Sequence, residues 1–123
     1  MYRSSILANF TRIKHNELMS KAVRANGVVF VGGQTPDQRE EDVTGQTRQV
    51  LKKIDENLEA MGLDKSHLVS VSIWLKDITR DFDAMNAVWA EWVDRNNTPS
   101  RATVEAHLRT ADMLVEIAAI AVE

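Results

Sequence analysis

Cysteine is absent from this chain of 123 residues. The absence excludes disulfide bonds, thiolate nucleophiles and zinc sites built on cysteine. Basic residues are in the minority, because 15 Lys and Arg stand against 18 Asp and Glu, for a formal net charge of -3. Nucleic acids and anionic membrane surfaces recruit basic patches, so we expect neither as a partner.

Long apolar runs are also missing. The longest, near residues 117–122, is far too short to span a bilayer. Residues 1–10 lack the apolar core of a secretory signal peptide. We therefore expect a soluble, cytoplasmic protein. With hydrophobic residues at 44%, the chain can bury one modest core, which predicts a single domain over residues 1–123.

The spacing of apolar residues predicts alternating strands and helices. Asn26-Gly27 is a strong hairpin signal, because both residues accept positive φ, and it joins two short predicted strands. Gly62 is a suitable stop for the first helix, and Thr79 or Asp81 is a candidate cap for the second. The predicted strands are 2–7, 21–24, 28–31, 66–75, 101–108 and 113–122, and the predicted helices are 42–61 and 81–96.

Two amphipathic helices against one set of strands predict a two-layer α+β fold. In the strand over residues 66–75, Val69, Val71, Ile73 and Leu75 alternate with a mixed set and should face the core. The tryptophans and methionines of the second helix are interpreted as core or subunit interface rather than a cofactor site.

Glu116 interrupts the otherwise apolar final strand. A carboxylate there is costly unless it is paired or hydrogen-bonded. Either Glu116 forms a structural ion pair or faces solvent at an edge, or it is a catalytic acid or base whose pKa is set by burial.

Arg101 opens the preceding strand, directly after Pro99-Ser100. Alternation places it on one face with Thr103, Glu105 and His107, and we expect the other, apolar face to pack inward. The guanidinium suits bidentate binding of a carboxylate, although a surface salt bridge is the more common role of a lone arginine.

Gly32-Gly33 after a strand would allow backbone amides to approach a ligand closely, but it belongs to no nucleotide-binding motif. His15, His67 and His107 show no metal-ligand spacing, and no GxSxG elbow is present.

Taken in order, these segments resemble the RidA/YjgF family, also known as L-PSP endoribonuclease-like proteins. The resemblance runs over nearly the whole chain. Its most specific parts are the Pro-x-Arg-x-x-Val and Val-Glu-Ile-x-x-Ile-Ala patterns. The segments that carry it are 26–34, 46–51, 58–63, 74–77, 82–86, 99–105 and 115–121.

The resemblance implies a chorismate-mutase-like fold with a mixed sheet and two helices on one face. It also implies a homotrimer with sites between subunits. The implied reaction is cofactor-free hydrolysis of 2-imino acids and 2-aminoacrylate to 2-keto acids and ammonia. By the same resemblance, Arg101 binds the carboxylate, Glu116 holds the attacking water, Gly33 and Thr103 contact ligand through their backbones, and Asn86 is structural.

Two departures from the family pattern concern the pocket. Where the family usually has Gly-Pro-Tyr, with the tyrosine lining the pocket, this chain has Leu18-Met19-Ser20, so that hydroxyl is missing and Met19 is expected to contact the substrate. Gly32 and Thr103 replace the usual serine and cysteine. These changes predict a divergent subfamily with an altered substrate preference.

Two other functions compete with the deaminase. The same site could bind keto acids or other small carboxylates as a sensor, without turnover. Ribonuclease activity is the older function that the family name suggests. The negative net charge, and the lack of a basic strip interleaved with aromatic residues, disfavour it.

Overall fold

The computed structural model describes residues 10–123, which form six strands and two α-helices. The predicted strand over residues 2–7 lies outside the described residues. The strands are β1 Thr11–Lys14, β2 Ser20–Ala25, β3 Val28–Gln34, β4 Leu68–Leu75, β5 Ser100–Glu105 and β6 Val115–Val122; the helices are α1 Val43–Ala60 and α2 Ile78–Trp92.

One sheet has the strand order β1-β2-β3-β6-β4-β5. Its neighbours are antiparallel except for β4 and β5, which run parallel, so the sheet is mixed. Both helices cover the face that carries the buried apolar residues, and the opposite face is open. The predicted two-layer α+β fold with a mixed sheet is therefore confirmed.

Local signals explain where several elements begin and end. Asn26 and Gly27 both have positive φ, at 51° and 79°, and form the predicted hairpin between β2 and β3. Asp42 caps α1 by accepting a hydrogen bond from the backbone of Gly45. Gly62, with φ of 75°, follows the end of α1 as expected.

The second helix begins earlier and ends earlier than predicted. Its cap is Asp77, whose side chain accepts from the backbone of Arg80, and neither Thr79 nor Asp81 caps it. Asp81 is instead buried inside the first turn, where it forms a bidentate pair with Arg80 at 2.8 Å. The helix stops at Trp92 because Val93 is extended.

The predicted core face of β4 is right for most of the strand and wrong near its first residues, where the register shifts. Val71, Ile73 and Leu75 are buried as expected, but Val69 is exposed and Leu68 is buried. The shift lies between Leu68 and Ser70 in the pairing with β6, and it reverses the alternation at that end.

The Gln46 side chain forms hydrogen bonds with two loops, the one that precedes α1 and the one that precedes β6. Its side chain is fully buried on α1. Nε2 donates to the carbonyls of Arg39 and Asp112 at 3.0 and 2.9 Å, and also to that of Glu41. Oε1 accepts from the backbone of Leu114 at 2.8 Å, just before β6.

We expect Gln46→Leu to lower the free energy of unfolding by about 3 kcal/mol, because it leaves several buried backbone groups without partners. Urea denaturation measures the loss. Gln49→Leu is the matched control: its hydrogen bonds to Asp37 and Gln38 are exposed, and its loss should be about 1 kcal/mol. Equal losses for both variants would contradict the role of Gln46.

Candidate active site

Glu116 lies on the open face of the sheet, in the central strand β6. Alternation buries Val115 and Ile117 against the helices and turns Glu116 the other way. Its side chain is half-buried, and burial raises the pKa of its carboxyl above the ordinary value. No hydrogen bond from residues 10–123 contributes to that shift, so the carboxylate is not the structural ion pair that the sequence left open.

Gly33 lies against the Glu116 side chain. The pairing of β3 with β6 shifts register between Val31 and Gln34, and Gly33 falls within that irregularity. A Cβ added at Gly33 would overlap Oε2 of Glu116 and come within 3.1 Å of its Cδ. The structure thus brings together two of the predicted site residues, and the carboxylate occupies space that any other side chain at position 33 would fill.

Arg101 lies on β5 at the edge of the sheet and faces the helices. Its Nη1 donates to Oδ1 of Asn86 at 2.8 Å. The guanidinium carbon lies 5.1 Å from the ring centroid of Trp89 and 5.7 Å from that of Phe82. Burial lowers the pKa of Arg101, because the charged form loses hydration.

The side chain of Arg101 pairs with no carboxylate among the described residues. Other arginines elsewhere in the described residues do pair with carboxylates: Arg24 pairs with Glu123, Arg39 with Asp112 and Arg80 with Asp81. The surface salt bridge that is the common role of a lone arginine is therefore not formed within residues 10–123.

The prediction that the apolar face of β5 packs inward is wrong. Ala102 and Val104 lie on the open face, where Val104 is 49% exposed. Arg101 and Thr103 face α2, and Glu105 on the same row accepts a hydrogen bond from the backbone of Ile78 at 3.0 Å. The grouping by alternation was correct, but polar contacts from α2 hold the polar row on the helix side.

Two further predicted residues have distinct surroundings. The Thr103 hydroxyl is buried and has no hydrogen-bond partner among the described residues.

Met19 lies in the turn between β1 and β2 and is 58% exposed. This turn is close to the Gly33 end of β3, because a Cβ at Gly32 would lie 3.4 Å from the carbonyl of Ser20.

Arg101 and Glu116 do not meet within one chain. Arg101 is opposite Val71 of β4, whereas Glu116 is opposite Trp74 of the same strand, on the other face. Two strand spacings and three residues separate their backbones, or about 14 Å. Two reactive groups therefore lie in separate surroundings, an arginine under α2 and a carboxylate beside Gly33.

The open face has a shallow hollow of about 220 Å³ between β3, β6 and β4. Phe30, Ala118 and Ile120 line it together with Ser70 and Ser72. Phe30 is 45% exposed, so large apolar groups remain uncovered on this face.

Within residues 10–123, no three His, Cys, Asp or Glu side chains are grouped so that they could hold a metal ion. His67 contacts Asp64 at 3.1 Å in a 3₁₀ turn and is far in sequence from His15 and His107. None of the described helices is long and apolar enough to cross a membrane.

Sequence reasoning missed how Phe82 and Trp89 contribute to the site. The sequence interpretation makes Trp89 a core or interface residue and Asn86 structural, and it assigns no role to Phe82. Their spacing of three and four residues places them on one face of α2. That spacing was visible in the sequence, but nothing in it indicated that β5 would turn its arginine toward this face.

Comparison with known proteins identifies close relatives. A family model described as "Endoribonuclease L-PSP" matches residues 11–123. The chain is 37% identical to a RutC family protein of Haemophilus ducreyi over 107 residues, covering 87% of this chain and 91% of that one. It is 36% identical to the RutC family protein YoaB of Escherichia coli over 110 residues, covering 89% and 95%.

A solved structure has the same fold. A member of the YjgF protein family from Neisseria meningitidis superposes with a TM-score of 0.88 at 38% identity, covering 93% of this chain and 94% of that one.

We expect Glu116→Gln to stabilise the protein at neutral pH. Burial holds the folded-state pKa of Glu116 above its unfolded value, so the folded chain binds more protons and stability falls as pH rises through that interval. Glutamine removes this loss. Because water partly screens the side chain, the gain is under about 1 kcal/mol, or a melting-temperature rise of roughly 2–4 °C at pH 7.

Thermal unfolding at fixed protein concentration from pH 4 to pH 8 measures this effect, and the two curves should converge near pH 4. Glu56→Gln, an exposed glutamate of α1, is the matched control. A variant less stable than wild type at pH 7 would mean that the Glu116 carboxylate has a stabilising partner.

Proposed function

The chain belongs to the endoribonuclease L-PSP family of RutC and YjgF proteins, and from that premise we propose that it hydrolyses 2-imino acids to 2-keto acids and ammonia without a cofactor. 2-Aminoacrylate enters the same reaction after tautomerising to its imine. The observation that carries the proposal is Arg101, a half-buried cation that pairs with no carboxylate of residues 10–123.

Arg101 binds the substrate carboxylate. A guanidinium presents parallel N–H donors that match two carboxylate oxygens, and partial removal from water strengthens the pair. Every 2-imino acid carries its carboxylate one bond from the imine carbon, so anchoring one group also positions the other. Backbone groups at Gly33 and Thr103 contact the ligand beside it.

Glu116 handles the protons. Its carboxylate accepts a proton from water as the oxygen adds to the imine carbon, and it passes this proton to the nitrogen, which gives a carbinolamine. The carboxylate then takes the proton of the new hydroxyl and delivers it to the nitrogen, so that the C–N bond breaks, the carbonyl forms and ammonia leaves. Burial raises the pKa of the Glu116 carboxyl toward neutral pH. A group whose pKa lies closer to the working pH can act both as an acid and as a base.

A second copy of the chain completes the site. Arg101 and Glu116 of one chain lie on opposite faces of the sheet, too far apart for one small imino acid. The resemblance implies a homotrimer whose open sheet faces pack together, with sites between subunits. The exposed apolar groups Phe30 and Val104 support that assembly.

Met19 is proposed to border the substrate side chain. It lies in the turn next to the Gly33 end of β3, within the Leu18-Met19-Ser20 segment that stands where the family usually has Gly-Pro-Tyr. A thioether offers an apolar, flexible contact in place of a hydroxyl, so we propose a preference for imines with apolar side chains.

Binding without turnover is the second candidate. It requires only the carboxylate site of Arg101, which a single chain contains, whereas turnover also requires Glu116 from elsewhere. In this case 2-keto acids would raise the melting temperature while imines hydrolyse at their uncatalysed rate.

We expect Arg101→Ala to lower kcat/KM for imine hydrolysis by about 100-fold, the loss of one strong charge-assisted pair. Imines generated by an amino-acid oxidase are trapped with semicarbazide, and keto-acid release is followed in competition with the trap. Arg95→Ala, an exposed arginine whose one side-chain hydrogen bond within residues 10–123 goes to the Ala90 carbonyl, is the control. Full activity in Arg101→Ala would refute the proposal.

Gly33→Ala should retain the fold yet lose most of kcat. The added methyl displaces the Glu116 carboxylate, which is the mobile end of a side chain, so the free energy of unfolding changes by under about 1 kcal/mol. Gly32→Ala is the matched control because its Cβ would meet only ordinary contacts at 3.4 Å. Equal kcat values for the two variants would separate Gly33 from the chemistry.

A further inference from the structure

Three residues on one face of α2 surround the Arg101 guanidinium. Asn86 accepts a hydrogen bond from Nη1 at 2.8 Å. Trp89 and Phe82 lie one turn to either side, with ring centroids 5.1 and 5.7 Å from the guanidinium carbon. The helix therefore contacts the arginine by one polar group and two aromatic rings.

We infer that Asn86 and Trp89 are positioning residues, which hold the Arg101 guanidinium so that its Nε–Nη2 edge is presented to the substrate carboxylate. The inference rests on the proposed function, since the substrate is the 2-imino acid named there. It extends that function by assigning the orientation of the arginine to helix α2.

The hydrogen-bond pattern selects that edge. A guanidinium has five N–H donors, and only Nη1 has an acceptor among the described residues. Nε and Nη2 together form the fork that binds both oxygens of a carboxylate. With Nη1 already bonded to Asn86, the Nε–Nη2 edge is the paired set of donors that remains.

Aromatic contacts restrict the flexible side chain. A cation within about 6 Å of a ring centroid is attracted to the ring, and both rings meet this condition. An arginine loses considerable rotamer freedom when it binds a ligand, unless the protein has already ordered it. The rings of α2 make that ordering part of the folded protein.

The Asn86 side chain is uncharged, and this distinguishes it from an aspartate at the same position. An aspartate at this position could also accept from Nη1, but its charge would compensate that of the arginine. The asparagine orients the guanidinium and leaves its positive charge for a ligand. Arg80, whose partner is the neighbouring Asp81 at 2.8 Å, has the compensated arrangement.

Asn86→Asp is the decisive variant because it separates binding from stability. We expect KM for imino acid to rise by about 10-fold, while kcat changes by less than about threefold and the melting temperature does not fall. A merely structural asparagine would give the opposite result, with lower stability and an unchanged KM. Asn86→Leu should raise KM by about threefold, because it removes the orienting bond without adding a charge.

Trp89 provides the second test. Trp89→Leu removes the ring and should raise KM by about fivefold, whereas Trp89→Phe, which keeps a ring, should restore KM to within about twofold of wild type. Trp92→Phe is the control: it removes the indole hydrogen bond to Asp55 but keeps a ring beside Trp89, since the two tryptophan ring centroids lie 5.5 Å apart. We expect it to lower stability without altering KM.

Calorimetric titration with 2-oxobutanoate gives a readout that does not depend on turnover. Inactive wild type would refute the proposed function, and the same variants then test the inference through Kd. A wild-type KM and Kd in Asn86→Asp, or KM values that simply follow melting temperature across the set, would overturn the inference. Wild type that neither binds 2-oxobutanoate nor hydrolyses imines would overturn both.

Discussion

The difference between the covered and the open face of one sheet governs this structure. Side chains alternate strictly along a strand, so each residue of the central strand β6 either packs under the helices or faces the open side. Val115 and Ile117 are fixed on the covered side by burial. Glu116 must then lie on the open side, and a register slip of one residue would place its carboxylate in the core.

The same alternation separates the two charges that matter. Arg101 is desolvated beneath α2 and Glu116 is desolvated beside Gly33. Burial lowers the pKa of the arginine and raises that of the glutamate, and in both cases it disfavours the charged form. An opposite charge brought close would favour both charged forms again. A substrate carboxylate does this for Arg101, which makes binding at that position favourable without any contribution from Glu116.

Turn and helix signals in the sequence made much of the fold predictable. The parts that depend on tertiary packing, such as an edge strand and the face that a strand buries, were not predictable. Asn26-Gly27 determined a hairpin, and α1 was predicted to within one residue at either end. Strand β1 was missed because its residues are polar and lie at the sheet edge. For the site, Arg101, Gly33 and Glu116 could be selected from the sequence. The side of the sheet that Arg101 faces could not be predicted. Ala102 and Val104 form an apolar row, and such a row is equally compatible with packing under the helices and with an exposed face that another subunit covers.

That apolar row connects assembly with chemistry under the proposed function. Phe30 and Val104 are large groups left exposed on the face that also carries Glu116. If a second copy covers the face, apolar area leaves water, which favours association. The same covering removes more water from Glu116, and burial disfavours its charged form, so its pKa rises further. Arg101 of the neighbouring copy is left for the substrate carboxylate, because the neutral Asn86 orients its guanidinium without compensating its charge. Covering the open face therefore acts on the proton chemistry of Glu116, whereas the asparagine of α2 acts on substrate binding.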